Sequence, residues 1–274
     1  MVKATQPGYG LIAVDCDGTL LDSTNNISAG VHEAVAEARA QGVEVTLVSG
    51  RNYGLMDYLA HEVGITAPII GCGGAFIYDV QADKVLEEHP LPLAETRELV
   101  RLCREEEVIL VLEYVRTSFQ EKPYPHRPSH AAHRHVRQII PDLMTALDEA
   151  PVKAMVVGKV ENLTKLYEDI TRLGLFESYS FSSATSIDIV PAGVNKGSSL
   201  SALADCLKVP LPRVAVIGDW LNDLDMFRIS GFAVAMGNAP DEVKAAANLI
   251  APTNDEGGAA WAIREILRRG QAQV

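Results

Sequence analysis

The chain has no long apolar run, no closely spaced cysteine pair and a shortage of positive charge, and each absence narrows what it does. No stretch stays apolar over the roughly 20 residues that a membrane-spanning helix needs, so no membrane partner is expected. Met1 to Gly10 lacks the basic-then-apolar pattern of a secretory signal. The four cysteines, Cys16, Cys72, Cys103 and Cys206, are scattered and form no Cys-x-x-Cys motif, so reduced thiols and a cytoplasmic location are expected. The 24 basic residues are outnumbered by 36 acidic ones, and the net charge of -12 argues against nonspecific nucleic-acid binding. It leaves a small anionic ligand open, because local charges decide that. There is no internal repeat and no low-complexity tract. What is present is apolar substance: 47% hydrophobic residues in 274, enough for a large core plus an inserted module.

The apolar run Leu11-Ile12-Ala13-Val14 reads as a short buried strand, and Asp15-Cys16-Asp17-Gly18-Thr19-Leu20 follows it directly. Side chains two residues apart on a strand point to the same side. Two carboxylates therefore leave the strand end together, and they repel unless a cation or a shared proton relieves them. A solvated turn is the plain alternative, since Asp and Gly are common there. It loses ground because matching polar signals recur downstream.

The pattern alternates strand and helix at first. Ser28 is placed to cap a helix to about Gln41, with Val31, Ala34, Val35 and Ala38 on one face. A strand over Glu44–Val48 ends at Ser49-Gly50-Arg51, and a helix from about Tyr53 to Val63 follows. A strand over Pro68–Ile70 leads to Gly71-Cys72-Gly73-Gly74. Helical crossovers between apolar strands predict a doubly wound parallel sheet, an α/β, Rossmann-like core. The middle of the chain reads as a separate α+β module with antiparallel strands. It starts with a hairpin of Phe76–Asp79 and Val85–Glu88 and includes a helix around Ile139–Glu149. The boundaries expected are 1–82 and 189–274 for the core and 83–188 for the inserted module. On return, Lys196–Leu207 reads as a helix, Val214–Ile217 as a strand before Gly218-Asp219, and Leu221–Ile229 as a helix. In doubly wound sheets ligands bind beyond the carboxyl ends of the strands. Asp15, Ser49, Gly71 and Asp219 all follow such ends.

These residues resemble a family. Asp15-Cys16-Asp17-Gly18-Thr19-Leu20, Ser49-Gly50-Arg51, Lys196-Gly197 and Gly218-Asp219-Trp220-Leu221-Asn222-Asp223 look like the four ordered motifs of the haloacid dehalogenase superfamily. The inserted module resembles the α+β cap of its Cof-type sugar-phosphate phosphatases. The resemblance covers about Leu11 to Ala260. It implies that Asp15 attacks phosphorus to form an aspartyl phosphate, and that Asp17 serves as acid and then as base. It implies Mg2+ as cofactor, a hard cation that accepts oxygen ligands beside a phosphate. The ligands implied are the Asp15 carboxylate, the Asp17 carbonyl and Asp219, with Asp223 in support. Lys196, Ser49 and the Gly50 amide, together with Arg51, would meet the phosphoryl oxygens. Asn222 would orient Lys196 or Asp223. Two departures stand out: Trp220 occupies a position usually held by Gly, and Gly73-Gly74 replaces a common Asn-Gly. Asn254 lies in a matching late loop as a supporting residue.

Residues 125–135 hold four of the seven histidines. His130, His133 and His135 do not share a helical face, which counts against a histidine metal site. Arg127 and Arg134 in that cluster are candidates for an anionic part of the substrate. The expectation is a magnesium-dependent phosphatase acting on small phosphate monoesters, with a small-molecule ester as its partner. Passing the phosphoryl group to a second hydroxyl, as a phosphomutase or phosphotransferase does, uses the same residues. A noncatalytic phospholigand sensor is a third reading, against which the intact acids and lysine count. Substrate identity and oligomeric state are not written in the sequence.

Overall fold

The computed structural model describes residues 8–123, 137–183 and 185–272. Their elements in chain order are β1 (Leu11–Asp15), α1 (Ala29–Ala40), β2 (Glu44–Val48), α2 (Tyr53–Val63), β3 (Ile69–Gly71), β4 (Phe76–Asp79) and β5 (Lys84–Glu88). Next come α3 (Leu93–Glu105), β6 (Ile109–Glu113), β7 (Ser118–Gln120), β8 (Arg137–Ile139), β9 (Lys153–Val157), α4 (Val160–Leu173), β10 (Tyr179–Ser183) and β11 (Ser186–Ile189). The last part holds α5 (Lys196–Cys206), β12 (Val214–Gly218), α6 (Leu224–Ile229), β13 (Phe232–Ala235), α7 (Asp241–Ala246), β14 (Leu249–Ile250) and α8 (Gly258–Ala272). Two compact units divide the chain. The first comprises 1–50, 57–86 and 195–274, and the second 51–56 and 87–194.

The first unit is built on a sheet of order β14-β13-β12-β1-β2-β3-β4-β5. The run from β14 to β3 is parallel, and β4 joins β3 antiparallel. Every residue of β1 and β12 is buried, as expected for central strands covered on both faces. Leu11, Ala13, Val48 and Ile70 pack with Leu200, Leu203, Met226 and Phe227 from α5 and α6. On α1 the predicted face, Val31, Ala34, Val35 and Ala38, is buried, and the helix packs on α8. Ser28 stands at the N-cap position, but its side chain makes no capping bond. The doubly wound α/β core is therefore as the alternation of elements predicts.

The second unit has a sheet of order β10-β11-β9-β6-β7-β8. Its pairs are antiparallel except β7 with β8, which run parallel. One face, with Leu110, Leu112, Ala154, Val156, Ile187 and Ile189, packs against Leu99, Cys103, Leu163, Leu166 and Ile170 of α3 and α4. The helix predicted around Ile139–Glu149 does not form. Ile139 ends β8 in register with Gln120, and Asp142 caps a single 3-10 turn, Leu143–Ala146, by accepting the Met144 amide. A side-chain oxygen that satisfies a nearby amide favours such a short turn over a continued helix. Similarly, the segment predicted as one helix over Leu221–Ile229 begins as a 3-10 turn, Leu221–Asp223, before α6. Among the described residues no helix is long and apolar enough to cross a membrane.

Candidate active site

Sheet register brings the separate motifs to one edge. Asp15, the last residue of β1, lies opposite Val48, so Ser49 is one step beyond the same row. On the other side Val14 lies opposite Ile217, which puts Gly218-Asp219 next to Asp15. The Ser49 carbonyl accepts the Gly73 amide, and the Ser49 amide donates to Ile70, so the end of β3 joins the same edge.

The turn after β1 is closed by backbone bonds from the Leu20 amide to the Asp15 carbonyl and from the Leu21 amide to the Cys16 carbonyl. Gly18 sits in this turn at φ +81°, a left-handed conformation that costs glycine little. A Cβ there would also lie 2.3 Å from Asp219 Oδ2, so the turn needs glycine for two reasons. Asp15 is buried, and Asp17 is exposed.

Lys196 enters from the first turn of α5. Asn195 caps that helix by accepting the Ser198 amide at 2.8 Å, while the Ser198 hydroxyl accepts the Asn195 amide. The Lys196 ammonium is only 2% exposed and donates to Asp15 Oδ1 and Asp223 Oδ1, both at 2.6 Å. Asp223 turns its second oxygen, Oδ2, to the amides of Asp219 (2.9 Å) and Trp220 (3.0 Å). Gly218 makes this possible, because a Cβ there would lie 2.5 Å from that oxygen. Asp219 is held at both ends: Thr19 donates to Oδ1 at 3.1 Å, and the Asn238 amide to Oδ2 at 3.3 Å.

Asp15, Asp219 and Asp223 thus gather one carboxylate oxygen each within 4.8 Å of one another, all buried. Burial pushes the Asp15 carboxyl well above the ordinary range, with Asp223 and Asp219 adding to the rise and Lys196 opposing it. Asp219 is pushed up to about 6, by burial first and by the Asp223 charge second. Burial also disfavours the Lys196 charge, but Asp15 and Asp223 outweigh it, and the ammonium holds its proton more tightly than an ordinary lysine. Three acids share one lysine, and an additional cation would relieve the excess. The donor set is all oxygen, which fits a hard divalent ion.

A family model described as "haloacid dehalogenase-like hydrolase" matches residues 12–263. The chain belongs to that family. Among its relatives is the pyridoxal phosphate phosphatase YbhA of Escherichia coli, 28% identical over 255 residues, which are 89% of this chain and 93% of the relative. Another is the 5-amino-6-(5-phospho-D-ribitylamino)uracil phosphatase YitU of Bacillus subtilis, 29% identical over 93% of this chain and 96% of its own. A haloacid dehalogenase-like hydrolase from Bacteroides thetaiotaomicron superposes with a TM-score of 0.85 at 29% identity, covering 94% of this chain and 99% of that one. With these relatives, the haloacid dehalogenase-like chain is an enzyme, a phosphoric monoester hydrolase.

Asp15, Lys196, Asp219 and Asp223 meet at the sheet edge, with Ser49 in the adjacent row. Asn222 is exposed, and it is Asp223 that holds Lys196. Trp220 contributes its amide and leaves its indole 47% exposed. Arg127 and Arg134 lie outside the described residues. Sequence reasoning missed Asn238. It follows β13 on the same edge, donates to the Gly18 carbonyl and Asp219, and accepts the Asn254 amide at 3.1 Å. The signal was Gly237-Asn238 directly after an apolar strand, the pattern that marks the other site loops.

Proposed function

We propose that the protein hydrolyses small phosphate monoesters in two displacements at Asp15, with Mg2+ as cofactor and residues 83–188 as the cap. The observation that carries this reading is the Lys196 ammonium bonded at 2.6 Å to both Asp15 and Asp223 in a buried acidic cluster. Lys196 occupies Asp15 Oδ1 alone, which leaves Oδ2 to attack phosphorus. The phosphorus–oxygen bond to the leaving group breaks as Asp17 gives that oxygen a proton. Asp17 then takes a proton from water, the water oxygen attacks the aspartyl phosphate, and the Asp15–phosphorus bond breaks to release inorganic phosphate. Lys196, the Ser49 hydroxyl, the Gly50 amide and Arg51 are assigned to the phosphoryl oxygens, where fixed donors act most strongly. Asp15, the Asp17 carbonyl and Asp219 would hold the magnesium ion, and Asp223 supports them through Lys196 and the loop amides. When bound, the ion neutralises charge on the phosphoryl oxygens and lowers the carboxyl pKa values that burial has raised.

The substrate class is a small organic phosphate: relatives' names carry pyridoxal phosphate and a phosphoribitylamino compound, and the resemblance in the sequence motifs adds sugar phosphates. None of the four cysteines forms a disulfide, which fits a cytoplasmic location. A phosphate-release screen over such esters, with and without Mg2+, tests the reading. Release that needs Mg2+ and vanishes in Asp15→Asn supports it. Full activity in Asp15→Asn, or an isomeric ester as product in place of free phosphate, overturns it.

A further inference from the structure

The turn after β1 is held from outside by the far end of the chain. Thr19 donates to Asp219 at 3.1 Å, and the Gly18 carbonyl accepts the Asn238 side chain at 2.9 Å. The Leu21 carbonyl accepts the Asn254 side-chain amide at 2.9 Å, and the Ser23 amide donates to Asp255 Oδ1 at 2.8 Å. Four of the six residues from Gly18 to Ser23 thus bond to a partner 200 or more positions away. The first two bonds come from the loops after β12 and β13. The last two come from a third loop, residues 252–257, between β14 and α8.

That third loop is fixed at both ends. Thr253 and Glu256 form a capping box, in which Glu256 Oε2 accepts the Thr253 amide at 3.1 Å and its hydroxyl at 2.8 Å. The Thr253 carbonyl accepts the Gly258 amide at 3.0 Å, which joins the loop to the first turn of α8. The Pro252 carbonyl accepts the Gly237 amide at 3.1 Å, which joins it to the loop after β13. From this base Asn254 works in two directions. Its backbone amide donates to Asn238 Oδ1 at 3.1 Å, and its side-chain amide donates to Leu21. The second bond needs an amide, because an ionised carboxylate of the same shape has no proton to donate.

Leu21 passes the constraint on to Asp17. Its side chain is buried, its amide donates to the Cys16 carbonyl at 2.9 Å, and its backbone pairs with Asp17 in an isolated bridge. Asp17 itself is exposed, so burial does not hold it, and the backbone of the turn sets where its carboxyl reaches. A misplacement of about 1 Å costs a reacting group up to about 100-fold in rate.

We infer that Asn254 is a positioning residue for Asp17: by holding the Leu21 carbonyl it fixes the turn from which Asp17 gives the leaving group its proton. The inference rests on the phosphatase reading and deepens it. Asn254→Ala removes the bond to Leu21 and keeps the backbone amide that holds Asn238. Asn254→Asp keeps the shape and loses the donor. Both are assayed by kcat/KM, which covers the steps up to loss of the leaving group, on two kinds of ester. A glycerol or sugar phosphate loses an alkoxide, which needs the proton; p-nitrophenyl phosphate loses a stable phenolate, which does not. In both variants kcat/KM should fall about tenfold more for the alkyl esters than for p-nitrophenyl phosphate, with the Mg2+ concentration for half-maximal rate unchanged. Hydrogen exchange at residues 16–23 should quicken while β1 and β12 stay protected. Equal losses on both ester types overturn the inference, as does wild-type kcat/KM in Asn254→Asp, or a raised Mg2+ requirement without any ester selectivity. If the wild type turns over no ester at all, the phosphatase reading fails, and hydrogen exchange decides the hold on the turn separately. Faster exchange confined to residues 16–23 in both variants upholds that hold, and unchanged exchange refutes it.

Discussion

Replacing Lys196 by Met keeps the buried aliphatic stem and removes the one ammonium bonded to both Asp15 and Asp223. Two buried carboxylates are then left with oxygens within 4.8 Å of each other and no lysine between them. At that separation and an effective dielectric near 20, their repulsion is about 3 kcal/mol. Breaking a buried ion pair from one side costs about 3–5 kcal/mol, which agrees. With a urea slope of about 2 kcal/mol per molar for a unit this size, the midpoint should fall by roughly 1.5 M near neutral pH. Both tryptophans, Trp220 and Trp261, lie in the first unit, so their fluorescence follows the unit that holds the site. The deficit must shrink as pH is lowered from neutral. Lys196 has a folded pKa above the ordinary 10.5, so its own contribution is constant across this range and is lost only in alkali. Asp15 is raised in the folded state, so the variant's penalty is present above its folded value and relieved as pH falls and the carboxyl takes up a proton. Phosphatase kcat should drop about 100-fold or more, the usual cost of one lost electrostatic donor. An unchanged urea midpoint would refute the reasoning. A deficit that does not change as pH is lowered would show that packing, not charge, had been lost.

Gly18→Ala should cut kcat about 100-fold, because its Cβ would lie 2.3 Å from Asp219 Oδ2; activity beside a melting curve checks that the loss is local. Asn238→Ala removes one of the two side-chain donors to Asp219 and should raise the Mg2+ concentration for half-maximal rate about tenfold, with kcat at saturating Mg2+ little changed. Asp219 has a folded pKa of about 6, above the ordinary 3.8, so it favours the fold at low pH and that benefit is lost as pH rises from about 4 to about 6. The rise in melting temperature caused by Mg2+ should therefore be small at the acid end of this window and grow through it; a rise independent of pH would contradict the assignment.

What was legible in the sequence follows from how far each signal reaches. The core strands Leu11–Asp15, Glu44–Val48 and Val214–Gly218 are apolar runs ended by polar turns, and a central parallel strand needs nothing else to be recognised. The Val31, Ala34, Val35, Ala38 face of α1 is likewise a local periodicity. Asp15, Ser49, Lys196 and Asp219 could be read because each sits at the end of such an element. Segments whose form depends on distant partners were not readable. Gln138 and Ile139 become strand only by pairing with Phe119 and Gln120, so an apolar stretch that reads as helix is overridden. The family resemblance puts Asp223 in support of the metal, but only the fold shows its two oxygens spent on Lys196 and on two loop amides.

The same distinction explains why the catalytic end of the molecule announces itself and a polar face of the second unit's sheet does not. Asp15 and Asp17 are two residues apart, so their charge conflict is visible within one turn of sequence. Glu113, Ser118, Gln120, Arg137, Lys153 and Asp188 come from five strands, and each alone looks like an ordinary polar residue on a half-exposed sheet. Only register shows them to be neighbours, and only burial shows that Ser118 Oγ, Gln120 Oε1, Arg137 Nε and Asp188 Oδ1 lack a partner among the described residues. Phosphate chemistry demands the same acids and lysine whatever the ester, so it can be fixed in short motifs. On that argument, substitutions at Asp15 or Lys196 should lower turnover of every ester alike, which phosphate release from a panel of esters checks.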